Sequence, residues 1–250
     1  MMGLTVWNTA LTPAQMVTNA NLATPQPTGN EPNLVVFVPM DGSPAATVID
    51  RSPSQLNGIP QGGVAYTPTG YGYNTPYAGS LTFNGTSNFV QMQSTGFSNF
   101  TNGFSAGVWA YTSSVANWGR YFDFGNPGGS SNNIVLTRDG TSSNLKLEVW
   151  KNGSVTTLVV NRAIQLNTWQ HFSVTVTSSG VATIYVNGVA VATGTNAGFI
   201  PNNVTRANNY IGKSNNSNDA LFQGQMSSLS VWNTPLTQAQ IQLGMYKAYS

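Results

Sequence analysis

The stretch WQHFSVTVTSSGVATIYVNGVAV, residues 169–191, decides the fold. Within HFSVTVT, Phe172, Val174 and Val176 alternate with polar residues, the period-two signature of a strand with one face in a core. Asn187-Gly188 follows in VNGV, a pair that tolerates the positive φ angles of a type I′ hairpin turn. The pattern recurs on both sides. FSAGVWAY (104–111) sets Phe104, Ala106, Val108 and Ala110 against Ser105, Gly107, Trp109 and Tyr111. NLKLEVW (144–150) sets Leu145, Leu147 and Val149 against Lys146, Glu148 and Trp150, and KNGS (151–154) supplies a second Asn-Gly turn. Many short strands with regular turns predict an all-β antiparallel sandwich of the jelly-roll kind.

Composition narrows the setting. The 250 residues are 6% charged, against about 25% in ordinary soluble proteins. The exposed surface must therefore be built from Asn, Thr, Ser, Gln and Gly. Nine scattered basic residues and a net charge of +2 give no stripe for nucleic acid. No apolar run approaches the ~20 residues of a membrane helix, so membrane insertion is not expected. The opening MMGLTVWNTA lacks the basic and apolar regions of a signal peptide. Cysteine is absent, which removes a disulfide framework. A weakly charged, Asn/Thr-rich β protein points to an extracellular or cell- or particle-surface location.

The two ends repeat each other. VWNTALTPAQ (6–15) and VWNTPLTQAQ (231–240) agree at eight of ten positions. Each reads as a strand ending in Val-Trp, a turn and a capped helix. Thr237 and Gln240 form a capping box, and Thr12 and Gln15 repeat it with Pro13 at the first helical position. ATPQPTGNEPN (23–33) reads as a linker.

Taken in order, LVVFVPMDG, VIDRSPSQLNG, SLTFNGTSNFVQM, FSAGVWAY, the 169–191 block, YIGKS and FQGQMSSLSVWNTPLTQAQI resemble the LamG-like jelly-roll domain of the concanavalin A-like lectin and glucanase group. The resemblance covers about residues 33–247. It rests on the Trp-x-His…Tyr-Val-Asn-Gly block together with the terminal Val-Trp-Asn-x-x-Leu-Thr block. Asn84 and Asn88 stand where the family usually carries acidic residues. In that family the Val-Trp block closes a domain. The resemblance therefore implies three parts: the tail of a preceding repeat at 1–22, a linker at 23–33, and one LamG-like domain at 34–250.

Glucanases on this scaffold work with two carboxylates flanking the scissile bond, and their Glu-x-Asp-x-Glu strand is missing. The glutamates are Glu31 and Glu148, and Asp41, Asp50, Asp123, Asp139 and Asp219 are dispersed. No enzyme is expected. His171, the single histidine, reads as structural. Calcium is the one cofactor to consider, because related jelly rolls hold it on rim loops. Asp50 with Asn57, and Asp219, are the candidate ligands; the competing reading is an Asp bonded to its own turn. For sugar binding, Trp109, Tyr111 and Trp150 face away from their strands' aliphatic residues, and Tyr185 does so less clearly. Trp118 and Tyr121, with YGYNTPY (71–77), read as loop aromatics. The competing reading is cross-strand packing. The functional expectation is a non-catalytic binding or adhesion module for a glycan or an extracellular protein, acting through a concave face or rim loops. The rival is a self-assembling structural subunit of a filament, surface layer or virion coat, with residues 1–22 packed on a neighbouring copy.

Overall fold

The computed structural model describes residues 31–41, 47–68, 79–94, 97–126 and 131–245. The first copy of the repeated stretch, the linker up to residue 30 and YGYNTPY lie outside the described residues. In chain order the strands are β1 (Leu34–Val38), β2 (Gly58–Gln61), β3 (Ala65–Thr67), β4 (Ser80–Asn84), β5 (Phe89–Met92), β6 (Gly103–Thr112), β7 (Arg120–Gly125) and β8 (Ile134–Arg138). They continue with β9 (Leu145–Lys151), β10 (Ser154–Val160), β11 (Trp169–Thr177), β12 (Val181–Val186), β13 (Val189–Thr195), β14 (Asn208–Ile211) and β15 (Gln223–Trp232), and helix α1 (Gln238–Met245) follows.

Two antiparallel sheets form the sandwich. The eight-stranded sheet runs β13-β12-β11-β6-β15-β4-β3 with β1 also on β15, and the seven-stranded sheet runs β10-β9-β8-β7-β14-β5-β2. Both Asn-Gly pairs take positive φ at both residues, 49° and 87° at Asn152-Gly153 and 52° and 74° at Asn187-Gly188. That double left-handed geometry matches the right-handed twist of the strands it joins. The residues read from alternation as inward do face the core: Phe104, Val108, Leu145, Leu147, Val149, Phe172, Val174 and Val176 all lie in one apolar cluster. Each such side chain contributes roughly 1.5–3 kcal/mol by leaving water.

The Val-Trp strand of the second copy is a central strand. One side of β15 pairs with β6, and its other side pairs first with β4 (through Met226) and then with β1 (from Leu229). The change of partner occurs at a bulge between Ser227 and Ser230, where Ser228 takes φ 52°. Its place in the sandwich is therefore filled by residues 223–232 themselves. The predicted capping box closes α1: Gln240 N donates to Thr237 Oγ1 at 3.2 Å, and Thr237 N donates to Gln240 Oε1 at 2.8 Å. Ile241 and Met245 are the helix's buried residues. Trp109 Nε1 donates to Met245 O at 3.1 Å, and Gln242 Nε2 donates to Gly188 O at 3.0 Å. Those bonds seat α1 on the outer face of the eight-stranded sheet.

Candidate functional site

Alternation along LKLEVWK puts Lys146, Glu148 and Trp150 on the outer face of the seven-stranded sheet, because Leu145, Leu147 and Val149 take the core. Register then brings distant residues beside them. Tyr210, Asp123, Val135, Glu148 and Thr157 form one row across five strands. Arg120, Thr137, Lys146 and Val159 form the next row. With strands ~4.8 Å apart, Asp123 and Glu148 are about 10 Å apart at the backbone.

Charge is scarce in this chain, yet four of its seven acidic residues meet here: Asp123, Asp139, Glu148 and Asp219. Glu148 is the hub. Its Oε1 lies 3.1 Å from Lys146 Nζ, and its Oε2 accepts the Trp150 indole N–H at 3.1 Å. Lys146 Nζ also reaches Asp139 Oδ1 at 3.2 Å and sits 4.8 Å from the Trp118 ring centre. Arg120 flanks the same ring at 5.9 Å and holds Asp219 Oδ2 at 2.8 Å. A continuous chain of contacts thus joins two half-buried aromatics, Trp118–Lys146–Glu148–Trp150. Trp118 is presented from a left-handed backbone, φ 55°, with its N–H bonded to Gly140 O at 3.0 Å. Such a conformation is uncommon for a bulky residue and persists only where its surroundings enforce it.

Asp123 is the sealed part of the cluster, 1% exposed. Asn133 Nδ2, Asn215 Nδ2 and Asn215 N all donate to its carboxylate, at 2.7, 2.9 and 2.9 Å. Burial pushes its carboxyl above the usual carboxylate range, opposed by those Asn215 bonds and by Arg120. Beside the cluster, Val155 and Val159 of β10 stand 43% and 37% exposed. The face therefore offers apolar and aromatic surface around fixed polar groups.

The other expected platforms fall elsewhere. Trp109, Tyr111 and Tyr185 belong to the eight-stranded sheet, so they do not share a face with Trp150. Trp109 is 3% exposed under α1, edge-on to His171 at 5.2 Å. Tyr185 is buried as well, and half-buried Tyr111 packs on Trp169 at 5.9 Å. Tyr121 is not a loop aromatic. A register shift between Arg120 and Phe122 turns it into the core, where it packs on Phe172 and Phe222. Its hydroxyl bonds Thr112 at 3.0 Å, and burial pushes its pKa up to about 12.

The calcium candidates are also committed. All of the Asp50 carboxylate's close partners are donors of the protein: Phe37 N, Ser52 N, Ser52 Oγ and Leu56 N at 2.8–2.9 Å. Asn57 Oδ1 accepts the Asp50 N–H. Asp219 faces Arg120 and accepts from Ser214 Oγ at 2.7 Å. A cation at Asp50 would therefore compete with four protein donors, and one at Asn57 or Asp219 would share its oxygens with the donors named. Among the described residues, no three His, Cys, Asp or Glu side chains cluster in a way that could hold a metal ion.

Known proteins show the same architecture. Domain 4 of AbnA, a GH43 extracellular arabinanase from Geobacillus stearothermophilus solved with arabinotriose, superposes with TM-score 0.68 at 19% identity, over 85% of this chain and 98% of that one. The binding domain of Paraclostridial Mosquitocidal Protein 1 matches with TM-score 0.64 at 16% identity, over 84% of this chain and 51% of that one. The botulinum neurotoxin serotype G binding domain also gives 0.64 at 16% identity, over 84% and 50%. The chain thus spans about half the length of these toxin binding domains. No curated protein sequence matches the chain. The family model of the concanavalin A-like lectin/glucanases superfamily, Laminin_G_3, matches residues 84–242, more than half of the chain. The sandwich, the order of its motifs and that match agree: the chain belongs to the laminin G-type branch of the concanavalin A-like lectin/glucanase superfamily.

Proposed function

We propose that the chain is a non-catalytic, extracellular binding module that takes a glycan on the outer face of its seven-stranded sheet. The observation that carries this reading is the Trp118–Lys146–Glu148–Trp150 chain, two half-buried rings held around fixed polar groups. A pyranose or furanose face stacks on such a ring while its hydroxyls bond the neighbours. Domain 4 of AbnA was solved with an oligosaccharide, which supports looking for one here. Catalysis is disfavoured by how the carboxylates are used. Asp123 is sealed by asparagines, Asp219 is held by Arg120, and Asp139 and Glu148 share Lys146. None of these is a free acid-base pair across a cleft. A glycan array probed with the full chain tests the reading. Retention of a defined set of glycans, without release of reducing sugar, supports it. No retained glycan, or sustained hydrolysis, refutes it.

The second reading is a self-assembling structural subunit, favoured by the 6% charge content, which leaves little repulsion between copies. Residues 1–22 would then pack on a neighbouring copy, since the Val-Trp strand position of their own sandwich is already taken by β15. Electron microscopy of the native material distinguishes an ordered assembly from a dispersed module.

A further inference from the structure

The seven-stranded sheet ends on β10 and β2, and the eight-stranded sheet ends on β13 and β3. An open edge displays unpaired backbone groups that accept another strand, so proteins shield edges with Pro, charge, a bulge or brevity. Here β2 is four residues long and contains Pro60, β3 has three residues, and β13 bulges at Val191 between the pairs Ile184–Ala192 and Tyr185–Ala190. The far side of β1 is met by Asp50 and Arg51. β10 has no such shield. Ser154–Val160 holds no Pro and no charge, and it pairs with β9 over seven residues in unbroken register.

Register fixes which of its backbone groups are open. Ser154 opposite Lys151 closes the two-residue Asn152-Gly153 turn, so Ser154, Thr156, Leu158 and Val160 exchange hydrogen bonds with β9. The N–H and C=O groups of Val155, Thr157 and Val159 therefore point away from the sandwich, and among the described residues nothing pairs with them. The side chains of these three are exposed on the outer face, while Leu158 and Val160 hold the strand against the core.

We propose that β10 is a dimerisation edge whose partner is β10 of a second copy of this chain. The strand is complementary to itself. Run antiparallel about a two-fold axis at Thr157, it sets Val155 against the partner's Val159 and Thr157 against the partner's Thr157. The three resulting pairs exchange about six backbone hydrogen bonds. Val meets Val, and no like charges are opposed, because neither strand carries any. Seven residues make an edge roughly 24 Å long. Two such edges, across both layers of the sandwich, bury on the order of 1,000 Å² in total, the lower limit for a specific interface. The dimer is therefore a reversible one, in the micromolar range. One consequence rests on the glycan reading: the two seven-stranded sheets become continuous, with both Trp118–Lys146–Glu148–Trp150 chains on one face, ready to engage a repeated glycan bivalently. The dimer itself does not depend on that reading.

Sedimentation velocity of the full chain, without glycan, from about 1 to 300 µM tests the contact. The mass should rise with concentration from 26.5 kDa toward twice that value. Val155→Lys with Val159→Lys sets Lys opposite Lys twice and should weaken the dimer about tenfold or more. Val155→Lys with Val159→Glu sets Lys opposite Glu twice and should dimerise at least about tenfold more tightly than the double-lysine chain. Thr157→Pro removes an N–H that faces away from β9, so it should abolish the dimer while the Tm stays near the native value. A chain that is monomeric throughout the range overturns the proposal. So does a dimer that the double-lysine variant leaves intact, or a Lys–Glu variant no tighter than the double-lysine one. A dimer that retains no glycan refutes the glycan face alone, and a monomer that retains glycans refutes this edge alone.

Discussion

His171 should make this domain acid-sensitive, by an amount that follows from its surroundings. The imidazole lies under α1 against Trp109, and burial pushes its pKa from 6.5 down to about 3. The folded chain therefore keeps it neutral where the unfolded chain protonates it. A base with a lowered folded pKa contributes stability that is complete above about pH 6.5 and is lost as the pH falls toward 3. At ~1.4 kcal/mol per unit of pKa shift, the loss is about 2 kcal/mol by pH 5 and on the order of 5 kcal/mol at its limit. Asp123 acts in the opposite sense: its raised carboxyl pKa adds stability at low pH, lost as the pH rises through the folded value. The informative quantity is thus a difference between two chains. Denaturant unfolding at pH 7.5, 6 and 5 should show a steeper fall for the native chain than for His171→Phe, which keeps a ring against Trp109 but cannot titrate. NMR of the native imidazole should show no protonation down to about pH 4. A midpoint near 6.5, or equal pH slopes for the two chains, would refute the reasoning.

Arg206 is 0% exposed and donates to the carbonyls of Phe97, Asn132, Asn202 and Val204, tying three loops together. Arg206→Met should cost roughly 3–5 kcal/mol in denaturant unfolding, because it strips those carbonyls of their donor. Asp50→Ala should cost a similar ~3–5 kcal/mol by orphaning its donors, whereas calcium or a chelator should move the native Tm by no more than about 1 °C. Calorimetry of both chains checks the pair, and a calcium shift of tens of degrees would return Asp50 or Asp219 to the role of ligand. Deleting residues 1–24 should leave the Tm of the sandwich nearly unchanged and weaken any assembly seen by light scattering; unfolding on deletion would contradict the tandem-tail reading.

Much of the fold was legible because period-two alternation and Asn-Gly turns are local signals. Phe172, Val174 and Val176, Leu145 to Val149, both hairpins and the Thr237–Gln240 cap all follow from neighbours in the chain. The site was legible only in part. The alternation of Lys146, Glu148 and Trp150 could be read, but their partners Arg120, Asp123, Asp139 and Asp219 arrive through cross-strand register and loop packing, which no single stretch encodes. Tyr121 shows the limit most sharply: one register shift after Arg120 turns an aromatic that reads as loop-borne into the core. Trp109 alternates correctly to the outer face, yet α1, contributed from more than a hundred residues away, covers it. For Asp50, a turn-like sequence concealed a carboxylate that staples β1 to the following loop.

The most direct test of the glycan face is calorimetric titration of the best array ligand, or of arabinotriose, into three chains: native, Trp150→Ala and Trp109→Phe. Trp150→Ala should lose about 1–3 kcal/mol of binding with its Tm nearly intact, as a binding anchor does, while Trp109→Phe should bind like the native chain. Undiminished binding by Trp150→Ala, or a loss matched by Trp109→Phe, would contradict a glycan site on the seven-stranded sheet.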